Sequence, residues 1–249
     1  MIMKLITITS GKGGVGKTTT AINLSMALNS FGKNVILVDA NMTTPNVGLH
    51  LGAPIVPISL NHVLLGKAKV IDAIYQHDSG TKVVPSSLSV RELRRLNYGK
   101  MKDLNKKLRK MADFVILDSA AGLGEEAISA MEAADELIVV TNPEITAVTD
   151  ALKTVKLAEE LGKPVRGVIV NRVRNDKNEM SIANIKGMLD VPILGIVPED
   201  RNMLSCLRNK DAILNLHPRS KASVAYKRIA AKIADVNYKE PSLFERMLG

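Results

Sequence analysis

Ser10-Gly11-Lys12-Gly13-Gly14-Val15-Gly16-Lys17-Thr18-Thr19 decides how the rest of the chain is read. From Gly11 to Thr18 it satisfies G-x-x-x-x-G-K-[ST], the pattern of a phosphate-binding loop. An apolar run, Lys4 to Thr9, reads as a strand feeding the loop, and Thr18 to Phe31 has the pattern of a helix leaving it. Glycines let successive backbone N–H groups turn inward on phosphate oxygens, and the helix N-terminus adds its partial positive charge. The pattern assigns Gly11, Lys12, Gly13, Gly14, Val15, Gly16, Lys17, Thr18 and Thr19 to nucleotide binding. Lys17 is expected at the β- and γ-phosphates and the Thr18 hydroxyl on Mg²⁺. The alternative, a plain glycine-rich turn, explains neither lysine.

Outward from the loop, apolar strands alternate with amphipathic helices. Strands are expected at Asn34–Asp39, Thr81–Pro85, Asp113–Asp118, Asp135–Thr141, Pro164–Val170 and Ile193–Val197. Helices are expected at Ser59–Leu65 (capped by Ser59), Val70–Gln76, Glu125–Met131, Ile145–Leu161 and Ser220–Val236. In the last of these Val224, Ala225, Ile229 and Ile233 form one stripe. This alternation predicts an α/β fold: a mostly parallel twisted sheet with helices on both faces, of the P-loop NTPase kind. Residues 1–236 read as one ATPase domain, 237–241 as a linker and 242–249 as a short amphipathic tail. The run Phe114-Val115-Ile116-Leu117 ending in Asp118 reads as a Walker B strand, whose carboxylate holds Mg²⁺, often through water.

Lys12 is not required by a generic phosphate loop. Gly11 to Thr19, GKGGVGKTT, resembles the deviant Walker A motif of the MinD/ParA family of ATPases. The resemblance implies that Lys12 reaches the phosphates bound by a second protomer, so that ATP drives homodimerisation. It also implies that Lys12 and Lys17 stabilise transition-state charge. Ala40 to Gly48 corresponds to the family's switch I, and Asp39 to an acidic residue near Mg²⁺ and the attacking water. The alternative for Asp39 is a cap of the following turn. Where the family often has a second aspartate two positions on, this chain has Asn41. An amide can orient a water but cannot accept its proton at neutral pH. Slow hydrolysis, or another water-positioning group, follows.

Ser119 to Gly124 resembles switch II, with Ala120 where the family has proline, and the Gly122 amide is the implied γ-phosphate contact. A glycine turn is the bland reading. Ala133 to Glu144 together with Ala147 to Thr154 resembles the MinD branch, of the archaeal, site-determining type, where these residues border the dimer interface and partner surface. Asn171-Arg172-Val173-Arg174 is not the Asn-Lys-x-Asp of a guanine reader, while the Asn171 amide can pair with adenine. In the family the loop Pro198-Glu199-Asp200 closes over the base; a helix cap at Asp200 is compatible with that.

The net charge of +9 favours acidic partners such as nucleic acid, anionic lipid or nucleotide phosphate. Only 3% aromatic residues and no tryptophan argue against a base-stacking platform. Cys206 is alone, which excludes an internal disulfide and speaks against a metal-cluster carrier, and the four histidines show no ligand spacing. The first strand starts too near Met1 for a signal peptide, and no apolar run approaches the ~18–20 residues of a span. A cytoplasmic protein, peripheral at the inner face of the membrane, is expected. The basic stretch Arg91 to Lys110 reads as a solvated helix face, with a docking surface for acidic partners or lipid as the alternative. In the tail, Leu243, Phe244, Met247 and Leu248 share a helical face that anionic lipid would cover, weakly for one tail and better for two on a dimer. The competing expectations are a tail packed on its own domain, and a ParA-type partition ATPase that binds DNA nonspecifically. An activating protein partner is expected but not identified.

Overall fold

The structure, a computed structural model, describes residues 3–242. Its strands are β1 (Lys4–Ser10), β2 (Val35–Ala40), β3 (Tyr75–Gln76), β4 (Lys82–Val84), β5 (Phe114–Ala121), β6 (Glu136–Thr141), β7 (Val165–Val173) and β8 (Ile193–Pro198). Its helices are α1 (Lys17–Ser30), α2 (Val47–His50), α3 (Leu60–Leu64), α4 (Val90–Leu93), α5 (Met101–Leu108), α6 (Glu125–Ala133), α7 (Ile145–Glu160), α8 (Ile182–Leu189), α9 (Asn202–Asn209), α10 (Ile213–Leu216) and α11 (Lys221–Ala234). The strands form one sheet in the order β3-β4-β2-β5-β1-β6-β7-β8, parallel except where β3 runs against β4. Strand β1 is central, between β5 and β6. The chain winds to β2 on one side of it and later to β6, β7 and β8 on the other. In such sheets ligands bind beyond the carboxyl ends of the strands at this reversal, which is where the phosphate loop lies.

Burial explains why the central strands read as unbroken apolar runs: Leu5, Ile6 and Ile8 of β1 and Val115, Ile116 and Leu117 of β5 are fully buried, with helices over both faces. Helix α1 is buried on nearly every side because α11 covers the face turned away from the sheet. All four stripe residues of α11 are buried, and Tyr226 beside them brings its hydroxyl 3.4 Å from that of Thr20. Burial pushes the Tyr226 phenol up to about 12, so it stays a neutral tether on the helix that opens the site. Residues 237–241 lie against the domain: Tyr238 packs edge-on to Phe31 and Glu240 pairs with Arg228.

One expected element needs correction. Val70–Gln76 is not a helix. A 3₁₀ turn over Val70–Ala73 gives way to β3, whose Tyr75 and Gln76 pair with Val83 and Lys82. In the basic stretch the helical spacing is expected to break near Tyr98-Gly99, and it does: α4 and α5 are separated by a 3₁₀ turn at Tyr98–Lys100. Helices α2, α8 and α10 occupy stretches where no element is expected from the sequence, while α9 follows the helix cap expected at Asp200. Among the described residues no helix is long and apolar enough to cross a membrane. The expected tail face, Leu243, Phe244, Met247 and Leu248, lies outside the described residues.

Candidate nucleotide-binding site

The loop between β1 and α1 has the backbone its glycines were expected to allow. Gly14 and Gly16 are left-handed, with φ of 80° and 92°, conformations costly for other residues. Two further constraints come from outside the loop. A Cβ on Gly11 would lie 2.1 Å from the backbone oxygen of Asp150, because the second turn of α7 presses on the loop's entry. A Cβ on Gly16 would lie 2.2 Å from Asn171 Nδ2. That amide donates to the Val15 carbonyl at 2.8 Å. Asn142, turned so that its amide meets acceptors, donates to the same carbonyl at 3.1 Å. The loop is thus braced from β6 and β7. Asn171 spends one N–H on this brace, which qualifies its expected role in reading a base.

The cleft over the loop has two ends. The phosphate end is lined by Gly13, Gly14, Gly16, Lys17, Thr18 and Thr19, with Asn41, Thr44 and Asn46 from the loop after β2. The other end is a cavity of about 370 Å³, in the range of small-molecule sites. Asn171, Arg172, Pro198, Glu199 and Asp200 form its rim, and Met203, Leu204, Leu207 and Ile213 supply an apolar wall. Arg172 borders both ends and holds a strained left-handed φ of 57°. Glu199 turns its carboxylate outward to Arg174, whose guanidinium holds it below the usual carboxylate range. Asp200 Oδ1 accepts from Asn202 N–H at 3.0 Å, so it caps the turn into α9. Cys206 is a buried part of the wall.

Beneath the phosphate end, Asp39 and Asp118 are register partners on β2 and β5, and both are fully buried. Asp39 accepts backbone N–H groups from Asn41 at 3.2 Å, Asn46 at 3.1 Å and Val47 at 3.0 Å. It therefore caps the turn into α2, the alternative considered for it, while standing beside Asp118. Asn41 Oδ1 accepts from the Thr44 amide and hydroxyl. Asp118 has Lys17 Nζ at 3.7 Å, and neither of its oxygens has a hydrogen-bond partner among the described residues. A buried carboxylate left so, next to Thr18, suits a hard cation. Among the described residues no cluster of three acidic, His or Cys side chains could hold a metal. Mg²⁺ needs none, since it takes one or two protein oxygens together with phosphate and water.

Burial pushes the Asp39 carboxyl well above the usual range and the charge of Asp118 adds to this, while the three amides pull it back. Burial also raises Asp118, against Lys17. The folded chain therefore holds a proton here more tightly than the unfolded chain, where Asp titrates near ~3.9. The ionised pair costs stability at neutral pH, and that cost fades as pH falls through the raised folded values. In EDTA and without nucleotide, the thermal midpoint of the wild type minus that of Asp118→Asn is expected to rise as the pH is lowered from neutral toward the ordinary aspartate range. A difference flat in pH contradicts the coupling.

Lys12 does not line the phosphate end. Its half-exposed ammonium is 3.2 Å from Thr146 Oγ1 and 3.8 Å from Glu144 Oε2, at the start of α7. The Gly122 amide, the expected γ-phosphate contact, donates here to the Ser10 carbonyl at 2.9 Å. A γ-phosphate contact requires that bond to open. Sequence reasoning missed Asn142, the α9 wall and His50, which borders both ends of the cleft. None has a spacing signal, because each reaches the site from a separate element.

The chain matches the AAA domain family over residues 3–166. It is 40% identical to an uncharacterized ATP-binding protein of Methanocaldococcus jannaschii over 94% of this chain and 88% of that protein. It is 35% identical to the septum site-determining protein MinD of Bacillus subtilis, over 92% and 88%. Among solved structures, the septum site-determining protein MinD complexed with Mg-ADP from Pyrococcus horikoshii superposes with a TM-score of 0.89 at 34% identity, covering 93% of this chain and 96% of that one.

Proposed function

The chain belongs to the MinD/ParA family of P-loop ATPases, and from that premise we propose that it is an ATP-dependent dimerising switch that positions a partner and cycles on and off a membrane. The observation that carries this reading is Lys12, a lysine inside the phosphate loop whose ammonium is turned out to Thr146 and Glu144. A group so placed is accessible to a second protomer's nucleotide.

ATP lies with its phosphates on the amides of residues 11–19 and its base against the α9 wall. Lys17 meets the β- and γ-phosphates. Thr18 and Asp118 would hold Mg²⁺, with Asp39 adjacent, and the ion would supply charge neutralisation to the phosphate oxygens. The γ-phosphate competes with the Ser10 carbonyl for the Gly122 N–H, so its arrival and loss rearrange switch II. Asn41, its Oδ1 taken by Thr44, offers only N–H donors to the attacking water. Basal hydrolysis to ADP and phosphate is accordingly slow and waits on a partner. Two tails gathered on the ATP dimer bind anionic lipid at the inner face of the membrane where one would not. DNA binding through the basic surface is the second reading, favoured by the net charge of +9.

Co-sedimentation with anionic vesicles tests the membrane step. Binding is expected with ATP–Mg²⁺, weaker by about tenfold or more with ADP, and lost in a chain ending at Pro241. Equal recovery in both nucleotides, or none in either, removes membrane cycling. Salt-sensitive, ATP-dependent binding to duplex DNA in its place supports the second reading.

A further inference from the structure

Three donors of switch I converge on a carboxylate that the site above does not use. Glu126, in the first turn of α6, accepts from the Met42 N–H, from the Thr43 N–H at 3.0 Å and from the Thr43 hydroxyl at 2.6 Å. Helix α6 begins three residues after Gly122 and continues directly from switch II. Switch I is thus held at two points. Asp39, on β2, holds its Asn41, Asn46 and Val47 amides and is anchored in the sheet. Glu126 holds Met42 and Thr43 from an element that follows switch II. Met42 is buried, so its amide has no water to turn to if that carboxylate leaves.

We infer that Glu126 is a positioning residue that makes switch I follow switch II when the Gly122–Ser10 bond opens. This rests on the proposed ATP-driven reading. The Gly122 N–H is the group that answers to the γ-phosphate, and it sits at the foot of α6. Any movement there shifts the first turn of the helix, and a charge-assisted clasp of three hydrogen bonds carries Met42 and Thr43 with it. The Asp39 end stays fixed, so the loop between the two points takes up the change.

Hydrogen exchange of residues 41–47 tests this in the full chain, as wild type, Glu126→Ala and Glu126→Gln, each with ADP–Mg²⁺ and with adenylyl imidodiphosphate–Mg²⁺. In the wild type, protection of the Met42 and Thr43 amides is expected to differ between the two nucleotides. In Glu126→Ala these two amides exchange on the order of tenfold faster and equally with both nucleotides. The Asn46 and Val47 amides keep wild-type protection. The kcat for ATP falls with KM unchanged, and Glu126→Gln, which keeps an acceptor oxygen, recovers part of both effects.

Wild-type exchange at Met42 and Thr43 in Glu126→Ala overturns the clasp. Loss of protection spreading to Asn46 and Val47, with KM rising, reduces Glu126 to a structural support and overturns the positioning role. A wild type that exchanges alike with both nucleotides overturns the transmission. A wild type whose exchange responds to nucleotide but which stays monomeric defeats the dimer reading alone and leaves Glu126 in its role.

Discussion

Lys12→Ala is expected to bind ATP nearly as well as the wild type and to hydrolyse it about 10²–10³-fold more slowly. Within one protomer, Lys12 makes only half-exposed contacts with Glu144 and Thr146, and such surface contacts contribute about 0–1 kcal/mol. Losing them changes neither the fold nor the phosphate cradle, because Lys17 and the loop amides remain. On the proposed reading, what disappears is a cation that would reach the phosphates of the facing protomer and stabilise charge there. Equilibrium dialysis with ATP, thermal unfolding and phosphate release separate these terms. A variant with unchanged binding and unchanged turnover contradicts the role given to Lys12. A variant that no longer binds ATP places Lys12 in its own protomer's site.

Gly11→Ala is expected to destabilise the chain by about 3 kcal/mol, lowering its melting temperature by roughly 6–12 °C. The added methyl would sit 2.1 Å from the Asp150 carbonyl oxygen, and that oxygen is helix backbone that cannot rotate away. Either α7 or the loop must retreat, and both carry the site: α7 receives Lys12 on its first turn and the loop holds the phosphates. Nucleotide binding therefore falls together with stability. Gly13→Ala is the control. Its Cβ meets nothing within 4 Å, and its melting temperature should stay within about 2 °C of wild type. Equal melting temperatures for the wild type and Gly11→Ala contradict the close approach of α7.

The phosphate loop, the Asp118 strand and the alternation around them were legible because each is local. A strand buried on both faces must be apolar throughout, and a loop that wraps phosphate must be glycine-rich. Tyr75 and Gln76 misled because a short edge strand carries no period of its own; only Val83 and Lys82 opposite define it. Helix α9 was marked only by its cap, Asp200, for a related reason. Met203, Leu204, Cys206 and Leu207 have helical spacing, but in a helix of eight residues the period is too brief to stand out, and Leu204 and Leu207 stay exposed at the cavity instead of facing the core. Glu126, Asn142 and Asn171 act across 84, 127 and 156 positions of the chain, on Met42 and on Val15. Such pairings are visible only once the sheet has brought β2, α6, β6 and β7 to one edge of the loop. Gly122 shows the same limit from the other side: its left-handed turn suits a phosphate contact, but its amide already has a partner in the Ser10 carbonyl.

Sedimentation velocity of the full chain with ADP–Mg²⁺ and with ATP–Mg²⁺ tests the central claim most directly. With ADP the chain is expected to sediment as a 26.9 kDa monomer. With ATP the wild type is expected at twice that mass, while Lys12→Ala remains a monomer. A wild type of one mass in both nucleotides, or a Lys12→Ala variant that dimerises with ATP as the wild type does, contradicts a switch closed by Lys12.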